Sequence, residues 1–343
     1  MPSFAHRRQV LLFLVAVALP CAVLVALGLR IIGQDRELRE RRLADEQRLL
    51  TRELRQALLD RLGSVVREEN TRLAAEPESR RSSVYGDPAV ILVAKLSDGR
   101  LVLPWEGAPT ARRAQRLLGQ EPFARAIGEG ERAEFGAAGA ATARAAYGRA
   151  LELARDPVQR DYARLLLGRV LSKLGRRREA ARHYDAVFAS PSDVTDEYGI
   201  PLWSYAAARL QEGDARPDVL GRVEAEVGAG TWLSPARLYA YRALVDTAAA
   251  HASDSAASAR ARRLSLRLAD RLTIVENALA LKHDLATLPI SQALSGSGQG
   301  LWVLWDRAAW LVGVASSTAA SPPTLVALRA PGIFASLRDR ALS

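Results

Sequence analysis

Apolar residues first gather in one uninterrupted run: Val10 to Leu29 is twenty residues without a charge. At about 1.5 Å per residue, a helix of that length spans the roughly 30 Å hydrocarbon core of a bilayer. Pro20 predicts a kink, which membrane helices tolerate. From Asp35 to about Glu76 the pattern becomes helical. Leu43, Leu50, Leu54, Leu58, Leu62 and Val65/Val66 recur at intervals of three, four and seven, while Glu and Arg fill the other faces. Such a helix either holds a domain away from the bilayer, pairing with a second copy or a later helix, or lies on its own domain.

Strand signals come next. Ala89–Leu96 and Arg100–Trp105 are β-rich runs joined by Ser97-Asp98-Gly99, a strong hairpin signal because glycine tolerates the positive φ of a tight turn. Pro104 ends the second strand or places it at an edge. A second group follows far downstream: Leu301–Trp305, Trp310–Ala315 and, after Pro322-Pro323, Thr324–Arg329. An isolated hairpin is marginal, so the two groups together predict one antiparallel sheet of about five strands, split in sequence. Residues Ile333–Leu342 read as the start of another helix.

Between the groups, residues 121–288 carry almost no strand signal. Asp156–Pro191 places Leu167-Gly168, Leu171, Gly175, Ala180, Tyr184 and Val187 at offsets that resemble one tetratricopeptide repeat. The match is partial, since Arg164 stands where that repeat has Trp and the terminal Pro comes one position early. Gly168 and Ala180 would let two helices approach, with Tyr184 filling the gap. A weaker copy precedes it, in which Ala143, Tyr147 and Ala150 follow a helix near Glu121–Phe135. A third pair is expected at Pro201–Gln211 and Pro217–Val227. Two longer helices follow, Ser234–Ala250 and Ser255–Leu285, the latter with Leu264, Leu268, Leu272, Val275, Leu279 and Leu281/Leu285 at helical spacing.

The predicted fold class is α+β, mostly α. It has an N-terminal transmembrane helix, a long juxtamembrane helix and a small antiparallel sheet split by an inserted tetratricopeptide-like helical domain. The segments are 1–8 (cytoplasmic), 9–32 (transmembrane), 33–77 (juxtamembrane helix), 84–118 (first part of the sheet domain), 121–288 (helical domain) and 299–335 (second part of the sheet domain). His6, Arg7 and Arg8 precede the span, so the N-terminus is expected in the cytoplasm and the bulk of the chain outside it, at a bacterial inner membrane. Arg30 at the far end weakens that asymmetry. A cleaved signal peptide fits less well, because the run is long and no A-x-A site follows; Pro20 argues against a lipoprotein site at Cys21.

Net charge is +10, and among 48 basic residues only Lys95, Lys173 and Lys282 are lysines. A GC-rich coding sequence accounts for that skew. Arginine alternates with Glu and Asp on helix after helix, a solvated pattern that does not favour nucleic acid. The lone Cys21 builds no disulfide or thiol chemistry within one chain. His6, His183, His251 and His283 have no partner at metal or nucleophile spacing, and no phosphate-binding glycine loop or G-x-S-x-G elbow occurs. Gly296–Gly300 precedes a strand and reads as a linker. No cofactor and no catalysis are expected.

Several short stretches carry a wider resemblance: Arg42-Leu-Ala-Asp-Glu46, Asp87-Pro-Ala-Val90, Leu101-Val-Leu-Pro-Trp105, Gly130-Glu-Arg-Ala-Glu-Phe135, Pro157-Val-Gln-Arg160, Asp196-Glu-Tyr-Gly199 and Trp310-Leu-Val-Gly313. In this order, after one span, they resemble the extracytoplasmic input region of bacterial membrane-bound sensor histidine kinases with repeat helices inserted in the sensor. The resemblance implies a second span, a phospho-accepting histidine and an ATP-binding domain, none present before Ser343. The chain is therefore expected to be the sensory input module alone, as a homodimer with a small-molecule or protein ligand. Candidate ligand contacts are Trp105, Trp305, Trp310 and Arg329, although core packing fits the tryptophans better, and an ordinary strand end the arginine. The other class of function is a membrane-anchored scaffold binding envelope proteins through a repeat groove near Arg164, Leu171, Tyr184 and Tyr205.

Overall fold

The computed structural model describes residues 46–65, 67–69, 71–72, 83–85, 87–97, 100–106, 109–212, 216–252, 254–285, 301–315 and 324–333. The expected span at 10–29, the linker 296–300 and the C-terminal helix beyond 333 lie outside these residues. Among the described residues no helix is long and apolar enough to cross a membrane. The chain divides into two units, Met1–Ser64 with Leu337–Ser343, and Val65–Ser336.

In the first unit, residues 46–64 form a helix, α1. Of the leucines expected on its apolar stripe, Leu50 and Leu54 are exposed and Leu62 is buried.

The second unit holds a small antiparallel sheet and nine helices among the described residues. The strands are β1 (Val90–Ser97), β2 (Arg100–Val102), β3 (Leu301–Trp305), β4 (Trp310–Ala315) and β5 (Thr324–Arg329), in the order β2-β1-β5-β4-β3. The two sequence-distant groups thus make one sheet, joined where β5 enters between β1 and β4, with Val93 opposite Val326 and Val312 opposite Ala327. Leu325 to Leu328 are fully buried, which is why that strand reads as a continuous apolar run. The edge strand β2 stops after three residues, just before Pro104, which has no N–H for a ladder. At the other edge, Trp302 lies opposite Gly313, and a Cβ on Gly313 would sit 2.6 Å from the indole Cε2 and closer to two other ring carbons.

The helices are α2 (Pro109–Leu118), α3 (Phe123–Phe135), α4 (Gly139–Leu153), α5 (Pro157–Lys173), α6 (Arg177–Phe188), α7 (Leu202–Gln211), α8 (Pro217–Gly228), α9 (Pro235–Ala250) and α10 (Ser255–Asp284). Several starts follow from capping chemistry. Asp156, Ser234 and Asp254 each accept a backbone N–H of the first turn, and Pro157 and Pro235 open their helices with a preset φ. Gly175, at φ +77, ends α5, where Arg176 N–H donates to the Leu171 carbonyl at 2.9 Å.

Helices α3 to α7 stack in chain order. Within α5–α6 the Tyr184 ring occupies the space beside Gly168, and within α3–α4 the Tyr147 ring does the same beside Gly130. The third expected pair forms differently. Helix α7 packs on α6 and α9, and α8 on α9 and α10, so the two are not a hairpin of their own. Trp203 and Ala207 of α7 face a core completed by Leu238, Tyr241 and Val245 of α9, which draws α7 away from its sequence neighbour. Helix α10 covers one face of the sheet, with Ala278, Leu281 and Leu285 against Leu92, Ala94, Leu96 and Val312. Its buried stripe passes through Ala278, while Leu279 is 39% exposed. Lys282 Nζ donates to both Glu106 carboxylate oxygens, at 2.6 and 2.7 Å, and ties α10 to the end of the first hairpin.

Candidate functional site

A cavity of about 220 Å³ lies where the sheet meets α9 and α10. Its walls come from both the sheet and the helices. Pro88, Val90 and Ile91 open β1, and Arg329 closes β5 beside them. Trp232 and Leu233 come from the α8–α9 loop and Leu238 from α9. Arg271, Ile274 and Val275 share one face of α10 at i, i+3 and i+4. Ser83 closes the ring from the segment that precedes β1.

Local chemistry explains this convergence. The register of β1 against β5 shifts between Val90 and Leu92, so the strand re-aims its side chains at Ile91 as it leaves the regular ladder. Arg329 N–H donates to the Ala89 carbonyl at 2.9 Å, fixing the end of β5 against the start of β1. Ser83 N–H donates to the Gly230 carbonyl at 2.6 Å, where Gly230 takes φ +69. Tyr85 completes the clamp: its hydroxyl accepts from Val93 N–H at 3.0 Å and from Trp232 Nε1 at 3.1 Å. Because β2 ends early, Val93 N–H is left facing outward from the ladder, and Tyr85 satisfies it. Burial, with the Glu69 charge adding to it, raises the Tyr85 phenol well above its ordinary range, so the group stays protonated.

The polar groups on the cavity wall are unevenly satisfied. Arg271 donates through Nη1 to the Thr231 carbonyl at 3.2 Å and makes no ion pair among the described residues. Burial pulls its guanidinium below the ordinary value, with no acidic neighbour to oppose the shift. The exposed Arg329 side chain has no hydrogen bond or ion pair among the described residues. Ser83 Oγ is shielded from solvent and has no partner there. Elsewhere arginines pair readily, as Arg169 does with Glu134 and Arg216 with Asp218. No Asp or Glu lines the cavity among the described residues. The remaining wall is aliphatic or indole surface.

Arg329 is therefore the one sequence-derived ligand candidate on the cavity wall. Trp105 lies behind it, with its ring 5.2 Å from that of Trp232. Trp305 and Trp310 pack edge-to-face at 5.5 Å and are each 4% exposed, inside the core between sheet and α10. Of the groove candidates, Leu171 and Tyr184 are buried between helices. Arg164 bonds Asp161 at 3.2 Å, and Tyr205 donates to Asp196 at 2.7 Å; both are partly accessible. These four do not gather into one cleft among the cavities described.

Sequence reading missed Ser83, Tyr85, Trp232 and Arg271. One signal was present for Arg271. It lies three residues after Leu268 and four before Val275, both on the buried stripe of α10, where a charge needs a reason. Among the described residues no group of three His, Cys, Asp or Glu side chains forms a metal site. Among the described residues the cavity wall offers hydrogen-bond donors and apolar surface. No family model, curated protein or solved structure matches this chain.

Proposed function

We propose that this chain is the extracytoplasmic input module of a membrane-bound sensor, of the two-component histidine-kinase kind that its motifs resemble, and that the cavity is its ligand site. One observation carries the reading: the walls come from both the sheet and the helices, and Arg271 and Arg329 line them with no acidic side chain beside them among the described residues. Buried polar groups left in this state cost stability in an empty protein. A site that gains its missing partners from a ligand supplies the differential affinity that a switch requires.

In this reading residues 10–29 anchor the chain in the inner membrane, with the N-terminus inside and the remainder outside. The exposed Leu50 and Leu54 of α1 suit pairing with a second copy, the arrangement in which a shift of one helix is felt by its partner. Helices α3 to α6 act as two tetratricopeptide-like hairpins, a reading supported by the repeated glycine–tyrosine contact. No phosphoryl transfer is assigned to this chain. The rival is an anchored repeat scaffold for envelope proteins. Two of its four groove residues are buried, so Arg164 and Tyr205 would have to carry it.

The test uses the full chain in lipid nanodiscs. Spin labels at Gln56 report the distance between copies, and thermal unfolding is followed with and without a panel of small metabolites. The sensor reading expects a ligand that raises the midpoint and changes the distance. Unchanged distances for every stabilising ligand, with a protein partner retained through Arg164 and Tyr205, would establish the scaffold instead.

A further inference from the structure

We infer that the cavity between β1, β5 and α10 takes a small carboxylate with an apolar body, its anionic head held by Arg271 and Arg329. The inference rests on the ligand-site reading above and names the class of ligand.

Charge comes first. Two arginines line one small space that has no acidic side chain on its wall among the described residues. Arg271 uses one N–H on the Thr231 carbonyl, leaving the rest of its planar fork for another acceptor. A carboxylate matches that fork with two parallel hydrogen bonds. The same wall gives an ammonium group nothing to pair with. An amino acid or a polyamine would bury an unmatched cation beside two others, so the site selects against them.

Shape comes second. Ile274, Val275, Leu238 and Ile91 form the floor, and the Trp232 ring is fixed at one side by its bond to Tyr85. About 220 Å³ displaces roughly seven waters at about 30 Å³ each. That falls below the roughly 300–1,000 Å³ of sites for drug-sized ligands. A short-chain or aryl-substituted monocarboxylate fills it.

The experiment compares isosteric probes on the full chain in nanodiscs by titration calorimetry: phenylacetate, phenylacetamide and phenethylamine, with hexanoate and hexanamide as the aliphatic pair. The acids are expected to bind at least roughly tenfold more tightly than the matching amides, as loss of charge-assisted hydrogen bonds implies, and the amine not at all. Arg271→Met should abolish acid binding without lowering the melting temperature of the empty protein, since it removes a half-buried cation with no counter-charge. Arg271→Lys, which keeps charge but loses the fork, should retain part of the affinity, and Arg329→Gln should weaken it severalfold. Amides or the amine binding as tightly as the acids would overturn the carboxylate assignment and leave the ligand-site reading standing. So would acid binding that survives both arginine substitutions. No saturable binding by any probe at millimolar concentration overturns both.

Discussion

The Tyr147 ring lies where a side chain on Gly130 would have to be: a Cβ there would come within 2.9 Å of the phenol Cζ and closer to two other ring carbons. Gly168 and Tyr184 repeat the relationship one hairpin later, with the Cβ 2.6 Å from the ring. Both glycines are inside helices, where glycine is otherwise a poor choice. They are there because each tyrosine packs directly on the backbone of the opposite helix.

This contact separates glycines by their surroundings rather than by helix position. Alanine is favoured over glycine within a helix by about 1 kcal/mol. Gly128 and Gly148 have open space around the added Cβ, so Gly128→Ala and Gly148→Ala should each stabilise the protein by about 0.5–1 kcal/mol. Gly130→Ala and Gly168→Ala should each destabilise it by about 1–3 kcal/mol, because the ring must move. Chemical denaturation of the four variants checks both signs.

Glu134 links the two hairpins. Its covered carboxylate accepts from Arg169 at 2.9 and 2.6 Å, from Lys173 at 2.6 Å and from Tyr147 at 2.8 Å. Burial alone would raise its pKa; the bonds from Arg169, Lys173 and Tyr147 outweigh it and hold the group below 4.5. A depressed carboxylate contributes stability that is complete above the unfolded value and lost as pH falls toward the folded one. Glu134→Gln should therefore cost about 2 kcal/mol at neutral pH, a modest figure because both cations can reach water. The gap between variant and parent should close on acidification below pH 4.5. A gap that persists at low pH would show that the charge is not what matters.

Trp302 and Gly313 form a cross-strand pair at the β3–β4 edge. Gly313→Ala should destabilise by about 1–3 kcal/mol, since the indole occupies the Cβ position. In a Trp302→Ala background the same change should cost little. A double-mutant cycle measures this coupling, and additive effects would mean that the ring has other room.

Tyr85→Phe removes one acceptor from two donors, Val93 N–H and Trp232 Nε1. The expected loss is about 2–3 kcal/mol from unsatisfied donors. Faster amide exchange at Val93 and altered Trp232 emission should accompany it, whereas a purely packing role for the ring would leave both unchanged.

The sequence by itself determined most elements and their kind. Short β-rich runs marked all five strands, Asp98-Gly99 announced the first hairpin, and helical spacing of leucines marked the long helix over 255–285. The marginal stability of an isolated hairpin required that β1 and β2 find β3, β4 and β5. These are local rules, written within a few residues of where they act. The tertiary structure decided what depends on meetings between distant segments. It placed β5 in the middle of the sheet, gave α7 to α6 and α9 instead of α8, and buried Leu171 and Tyr184 between the helices thought to display them. It also made the cavity, from Ser83, Trp232, Arg271 and Arg329. No spacing rule joins those four, because their proximity follows from how α10 packs on a sheet assembled from both ends of the unit.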